Sequence, residues 1–65
     1  MYTISGTYNT TPIKKRTFNS YDSAVKYLDS LITSLDVQIE EILSDENTNT
    51  YVANYYSRFM ISKLA

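Results

Sequence analysis

The 65-residue sequence has no cysteine, no histidine and no tryptophan, and a single glycine and a single proline. Each gap closes a class of chemistry. Without thiols there is no disulfide framework, no thiolate zinc site and no redox pair. Without imidazole there is no base for a nucleophilic triad and no histidine metal ligand. One glycine cannot build the loop that cradles a phosphate. The sequence therefore carries no expectation of an enzyme, a metal or a cofactor. Carboxylate pairs can be drawn from Asp29, Asp36, Glu40 and Glu41, but all lie on the solvated face of the helix predicted below. Nothing there would desolvate them and move their pKa.

Long apolar runs are missing too. None exceeds three residues, as in Phe59–Met60–Ile61, whereas a membrane-spanning helix needs about 20. The first residues show no basic region leading into an apolar stretch, so no signal peptide is expected and a reducing cytoplasm is the expected compartment. Charge of one sign is absent as well. Six Lys/Arg stand against seven Asp/Glu, for a net charge of −1, which argues against both a dedicated polyanion binder and an acidic nucleic-acid mimic.

What remains is apolar and aromatic. Hydrophobic residues make up 43% of the chain and aromatics 14%, with seven tyrosines, too much for a disordered segment. Residues 1–65 read as one small domain. A chain of this size buries only about 60% of its unfolded surface, and such scaffolds compensate with disulfides, a metal, tight packing or oligomerisation. Only the last two are open here.

Along the chain, Tyr2, Ile4 and Tyr8 alternate with Thr3, Ser5 and Thr7, the period of a strand. Gly6 falls on the apolar side and marks a bulge or a close backbone approach. Asn9-Thr10-Thr11-Pro12 is turn chemistry. A β-hairpin is predicted over about 2–8 and 13–18, with a four-residue loop. Ser20 is a helix N-cap candidate, with Asp22 placed to complement the dipole. From there the period changes. Tyr21, Val25, Leu28, Ile32, Leu35, Ile39 and Ile42 follow a heptad spacing, with every charge from Asp22 to Asp45 off the stripe. No glycine is at hand to close a helix at Asp36.

The favoured fold is accordingly α+β: the hairpin, a long amphipathic helix over about 20–44 and a C-terminal helix over about 50–64. The alternative is a ββαββ chain with strands at 37–43 and 51–62. In the strand reading Tyr51, Ala53, Tyr55, Phe59 and Ile61 share a face, and their β-propensity suits it. A helix over 21–44 would be about 36 Å long, against a diameter near 28 Å for a 65-residue globule. It must therefore break or find a partner. Self-association as a homodimer is expected through Leu28, Ile32, Leu35, Ile39 and Ile42.

Three further features are candidate sites. The tyrosine-rich stretch offers Tyr51, Tyr55, Tyr56, Arg58, Phe59 and Met60 for binding another protein, since Tyr and Arg dominate interface hot spots. Lys14-Lys15-Arg16, flanked by Tyr8 and Phe18, is the only basic cluster. It would serve a single-stranded nucleic-acid binder, although lysines on an edge strand also guard against aggregation. Asp45-Glu46-Asn47-Thr48-Asn49 begins like a calcium loop, but Thr50 stands where glycine is needed and Tyr56 where glutamate is, so it reads as a solvated connector.

The leading expectation is a non-enzymatic protein-binding module, an inhibitor or adaptor that docks on a larger protein. A structural subunit of a larger assembly and the nucleic-acid binder are the alternatives. The short, cysteine-free, Asn/Thr/Ser/Tyr-rich composition is similar in style to small proteins of phages and mobile elements, which would place it in a host cytoplasm.

Overall fold

The computed structural model describes residues 1–64. The elements run β1 (Tyr2–Tyr8), β2 (Thr11–Pro12), β3 (Arg16–Phe18), α1 (Tyr21–Leu35), β4 (Glu41–Ser44), β5 (Thr48–Asn54) and β6 (Ser57–Lys63). All paired strands are antiparallel, in the order β2-β1-β6-β5-β4, with β3 also pairing β1. Because β6 occupies one side of β1 from Tyr2 to Thr7, β2 and β3 share the other. The α+β class and the N-terminal hairpin are thus as read from sequence.

The hairpin loop is shorter than expected. Tyr8 pairs with Thr11, leaving only Asn9 and Thr10 in the turn, both with positive φ (49° and 67°). That is the geometry of a type I′ turn, whose twist matches that of the strands it joins. The register then slips by one residue, from Thr7 opposite Pro12 to Ile4 opposite Arg16. The extra residue lies at Lys14–Lys15, so the second arm is a bulged strand rather than a continuous one.

The helix begins as predicted and ends early. The Ser20 hydroxyl accepts the Ser23 N–H at 3.2 Å, and Ala24 and Leu28 are buried. The helix over 20–44 does not form. It stops at Leu35 because Asp36 turns left-handed, with φ at 54°. Aspartate tolerates that conformation better than most residues. The Val37 N–H reaches the Ile32 carbonyl at 3.1 Å and the Asp36 N–H reaches that of Thr33 at 3.2 Å. These are the two hydrogen bonds of a Schellman cap. At 15 residues the helix is about 22 Å long. That fits a molecule of 29 × 22 × 18 Å, and the overhang a longer rod would have had is removed.

The C-terminal helix over 50–64 is likewise replaced, by the β5–β6 hairpin. The residues of β6 alternate in burial: Ser57, Phe59 and Ile61 are inside, while Arg58 is exposed and Met60 and Ser62 are half-buried. The turn is Asn54-Tyr55-Tyr56-Ser57, held by the Asn54 side-chain carbonyl accepting the Tyr56 N–H at 2.8 Å. The ββαββ alternative comes closer but merges two strands into one over 51–62. It also starts its third strand too early, since 37–40 is a linker. After the helix the chain makes a three-stranded meander.

The register sorts the sheet into two faces. Ile4 faces Ile61, Gly6 faces Phe59, and Phe59 faces Tyr51. These residues point toward the helix, and Ile4, Ala24, Leu28, Phe59 and Ile61 form the buried core. The other face carries Ser5, Thr7, Thr48, Thr50 and Ser62 around Met60, Val52 and Arg58, with Thr3 buried among them, and is rich in hydroxyls. Gly6, at φ +143°, sits so close to β6 that an added Cβ would lie 2.1 Å from the Arg58 carbonyl oxygen. The close approach read from sequence at this glycine is present.

Candidate functional site

The helix packs mainly against β1 and β3 and covers the β4–β5 half of the same face less completely. A cleft of about 250 Å³ opens there. Val25 and Ile32 of α1 form one wall. Ile39, Ile42 and Tyr51 form the other, with buried Leu28 at its floor. A volume below the roughly 300 Å³ at which small-molecule pockets begin suits one or two side chains. Asp29 is the one charged residue lining it. Burial pushes the Tyr51 phenol above its usual value, helped by its neighbour Tyr21 and the Asp29 charge. The Tyr21 hydroxyl in turn accepts a hydrogen bond from the Asn49 amide at 2.9 Å.

The cleft runs beside an open sheet edge. β4 ends the strand order, and among the described residues no strand pairs with its far side. Ile42 is 59% exposed and Leu43 50%. The opposite edge is built differently. There the strand is split by the Lys14–Lys15 bulge, and Pro12 lacks an N–H. Both devices blunt an edge against further pairing. The charges divide the same way. Residues 36–46 hold Asp36, Glu40, Glu41, Asp45 and Glu46 with no cation, whereas residues 11–18 hold Lys14, Lys15 and Arg16 with no acid.

Of the five residues assigned to a self-associating seam, Leu28, Ile32, Ile39 and Ile42 do meet, in this cleft. They meet because the chain folds back after Asp36, so no continuous helical seam exists. Leu35 packs at the end of the helix, half-buried. The tyrosine-rich group is dispersed. Phe59 is fully buried in the core, and Tyr51 lines the cleft. Tyr55 and Tyr56 project from the β5–β6 tip at 93% and 58% exposure, with their rings edge-to-face at 5.2 Å. Arg58 and Met60 lie on the hydroxyl face, where Tyr55, Gly6 and Thr7 surround them in a shallow depression.

The aromatic rings beside the basic cluster are half-buried and engaged in packing. Phe18 is half-buried against Tyr27 at 5.2 Å, Tyr8 packs on the core, and the Arg16 guanidinium lies 5.0 Å from the Tyr27 ring centroid. The Asp45 carboxylate is occupied by the backbone N–H groups of Asn47 and Thr48, at 3.0 and 3.1 Å, as a connector's would be. No helix among the described residues is long and apolar enough to cross a membrane. The edge strand itself, with Glu41 and Leu43, overlaps the alternative strand at 37–43, which the heptad spacing running across it outweighed. The signal that exposes it is the ability of Asp36 to cap a helix without glycine. Comparison with protein-family models, curated proteins and solved structures finds no match.

Proposed function

We propose that this chain is a non-enzymatic protein-binding module, an inhibitor or adaptor that docks on a larger protein through the β4 edge and the cleft beside it. The observation that carries this reading is the asymmetry of the two sheet edges. A free edge strand is a row of unpaired backbone donors and acceptors ready to template another strand. One edge here is bulged and guarded by lysine. The other is regular, flanked by an apolar cleft and exposes Ile42 and Leu43. Strand addition at such an edge draws affinity from main-chain hydrogen bonds and specificity from side-chain pockets. The exposed Tyr55–Tyr56 pair offers a second contact at the hairpin tip, with the large, pre-ordered ring surface typical of hot spots.

The test is site-specific photo-crosslinking in the source cell or its host. A photoreactive residue at position 42 is expected to give a discrete protein adduct, and one at position 26, exposed on the helix, is expected to give none. Equal labelling from both positions, or no adduct from 42, refutes the reading.

A further inference from the structure

We infer that the segment seated on β4 is an extended, lysine- or arginine-bearing strand of a different protein, with apolar residues at alternate positions. This rests on the docking reading above and adds the chemistry of the ligand. A strand laid along β4 turns alternate side chains to the two faces of the sheet. On the helix side they meet the cleft of Ile39, Ile42 and Tyr51, which takes apolar groups. On the other side they lie beside Glu41 and the half-exposed Leu43, with Glu40 and Asp45 next in the chain at either end of the strand. Opposite charges paired across strands stabilise the pairing and like charges oppose it.

The same charges argue against a second copy as the occupant. Two β4 strands paired about a two-fold axis would bring two acidic segments, 36–46, against each other. The chain's own cationic edge is no substitute, since the bulge at Lys14–Lys15 interrupts it after the two residues of β2. A cationic strand from elsewhere satisfies the edge, the cleft and the charge together.

The experiment titrates the isotope-labelled full chain with an end-capped eight-residue peptide of alternating valine and lysine. Matched peptides carry glutamate or serine in place of lysine. The lysine peptide is expected to shift the backbone amides of residues 40–44 and slow their hydrogen exchange, and to bind at least tenfold more tightly than the glutamate peptide. Replacing Glu40→Gln and Glu41→Gln together is expected to weaken it several-fold, in line with exposed charge pairs. Methylating the peptide's backbone nitrogens on the side facing β4 is expected to abolish binding.

Equal binding of all three peptides overturns the proposal, as do shifts centred on residues 11–18 or 54–57. Shifts of residues 40–44 on concentrating the chain alone overturn it in favour of a second copy. A protein adduct from position 42, together with a lysine peptide that leaves residues 40–44 unmoved at millimolar concentration, retains the docking module and overturns its cationic ligand.

Discussion

Replacing Gly6 with alanine puts one methyl group between the two central strands, and the geometry sets the cost. The new Cβ would lie 2.1 Å from the Arg58 carbonyl oxygen and 2.9 Å from the Phe59 Cα, where carbon and oxygen approach no closer than about 3.3 Å. The strands must therefore part by about 1 Å. The backbone at φ +143° adds about 1–3 kcal/mol of strain for any side-chain-bearing residue. Parting β1 from β6 weakens one or two ladder hydrogen bonds, at about 1 kcal/mol each. It also loosens Phe59, which is fully buried directly opposite. The sum is about 3–5 kcal/mol, against a total stability of about 3–10 kcal/mol for a chain this size. Urea unfolding followed by far-UV circular dichroism reads the difference. With a slope near 1 kcal/mol per molar urea, the midpoint of Gly6→Ala is expected to fall by about 3 M or the transition to vanish. Ser5→Ala, the adjacent residue with its side chain on the hydroxyl face, should cost under about 1 kcal/mol. A Gly6→Ala midpoint within about 0.5 M of the parent would refute the close-approach argument.

Three other perturbations probe separate parts of the fold. Asp36→Gly is expected to raise stability by about 0.5–1 kcal/mol in the same urea assay, since glycine adopts the left-handed cap at lower cost; a loss would mean that the aspartate side chain contributes there. Leu28→Ala removes a side chain only 2% exposed and is expected to cost about 2–5 kcal/mol, read as a lowered thermal midpoint. The Tyr51 phenol titrates above its unfolded value because burial disfavours the phenolate. Its contribution is therefore intact below about pH 10 and is lost as pH rises through the folded value, where the unfolded chain binds fewer protons. Thermal midpoints measured from pH 8 to 11 should fall less steeply for Tyr51→Phe than for the parent, and parallel curves would contradict the assignment.

The N-terminal half of the fold was legible because its signals are local. Alternation from Tyr2 to Tyr8, turn residues at Asn9–Pro12 and the Ser20 cap each act within a few residues. The middle was misread because Ile39 and Ile42 keep heptad spacing with Leu28 and Leu35 while belonging to a different element. One backbone torsion at Asp36 separates the two outcomes, and aspartate carries no clear mark of it. Length offered a hint, since a rod of 21–44 would overhang the molecule and had either to break or to find a partner. At the C-terminus, Tyr55-Tyr56 disguised a turn, because two aromatic rings in a two-residue loop run against turn chemistry. The apolar cleft could be anticipated as a set of residues but not as a place. Its walls come from the helix, the linker, β4 and β5, and only the reversal after Asp36 brings them together.

The pairing of β1 with β6 has a consequence for how the chain is made. Tyr2 lies opposite Lys63, and the Leu64 N–H reaches the Met1 carbonyl at 2.8 Å. The ladder at the middle of the sheet therefore joins residues about 50–60 positions apart in the sequence. The helix has no complete floor until Phe59 and Ile61 have emerged from the ribosome, so the nascent chain gains little by folding in stages. Closing the sheet is therefore one long-range step, and a break in translation anywhere before β6 leaves β1 with nothing to close on.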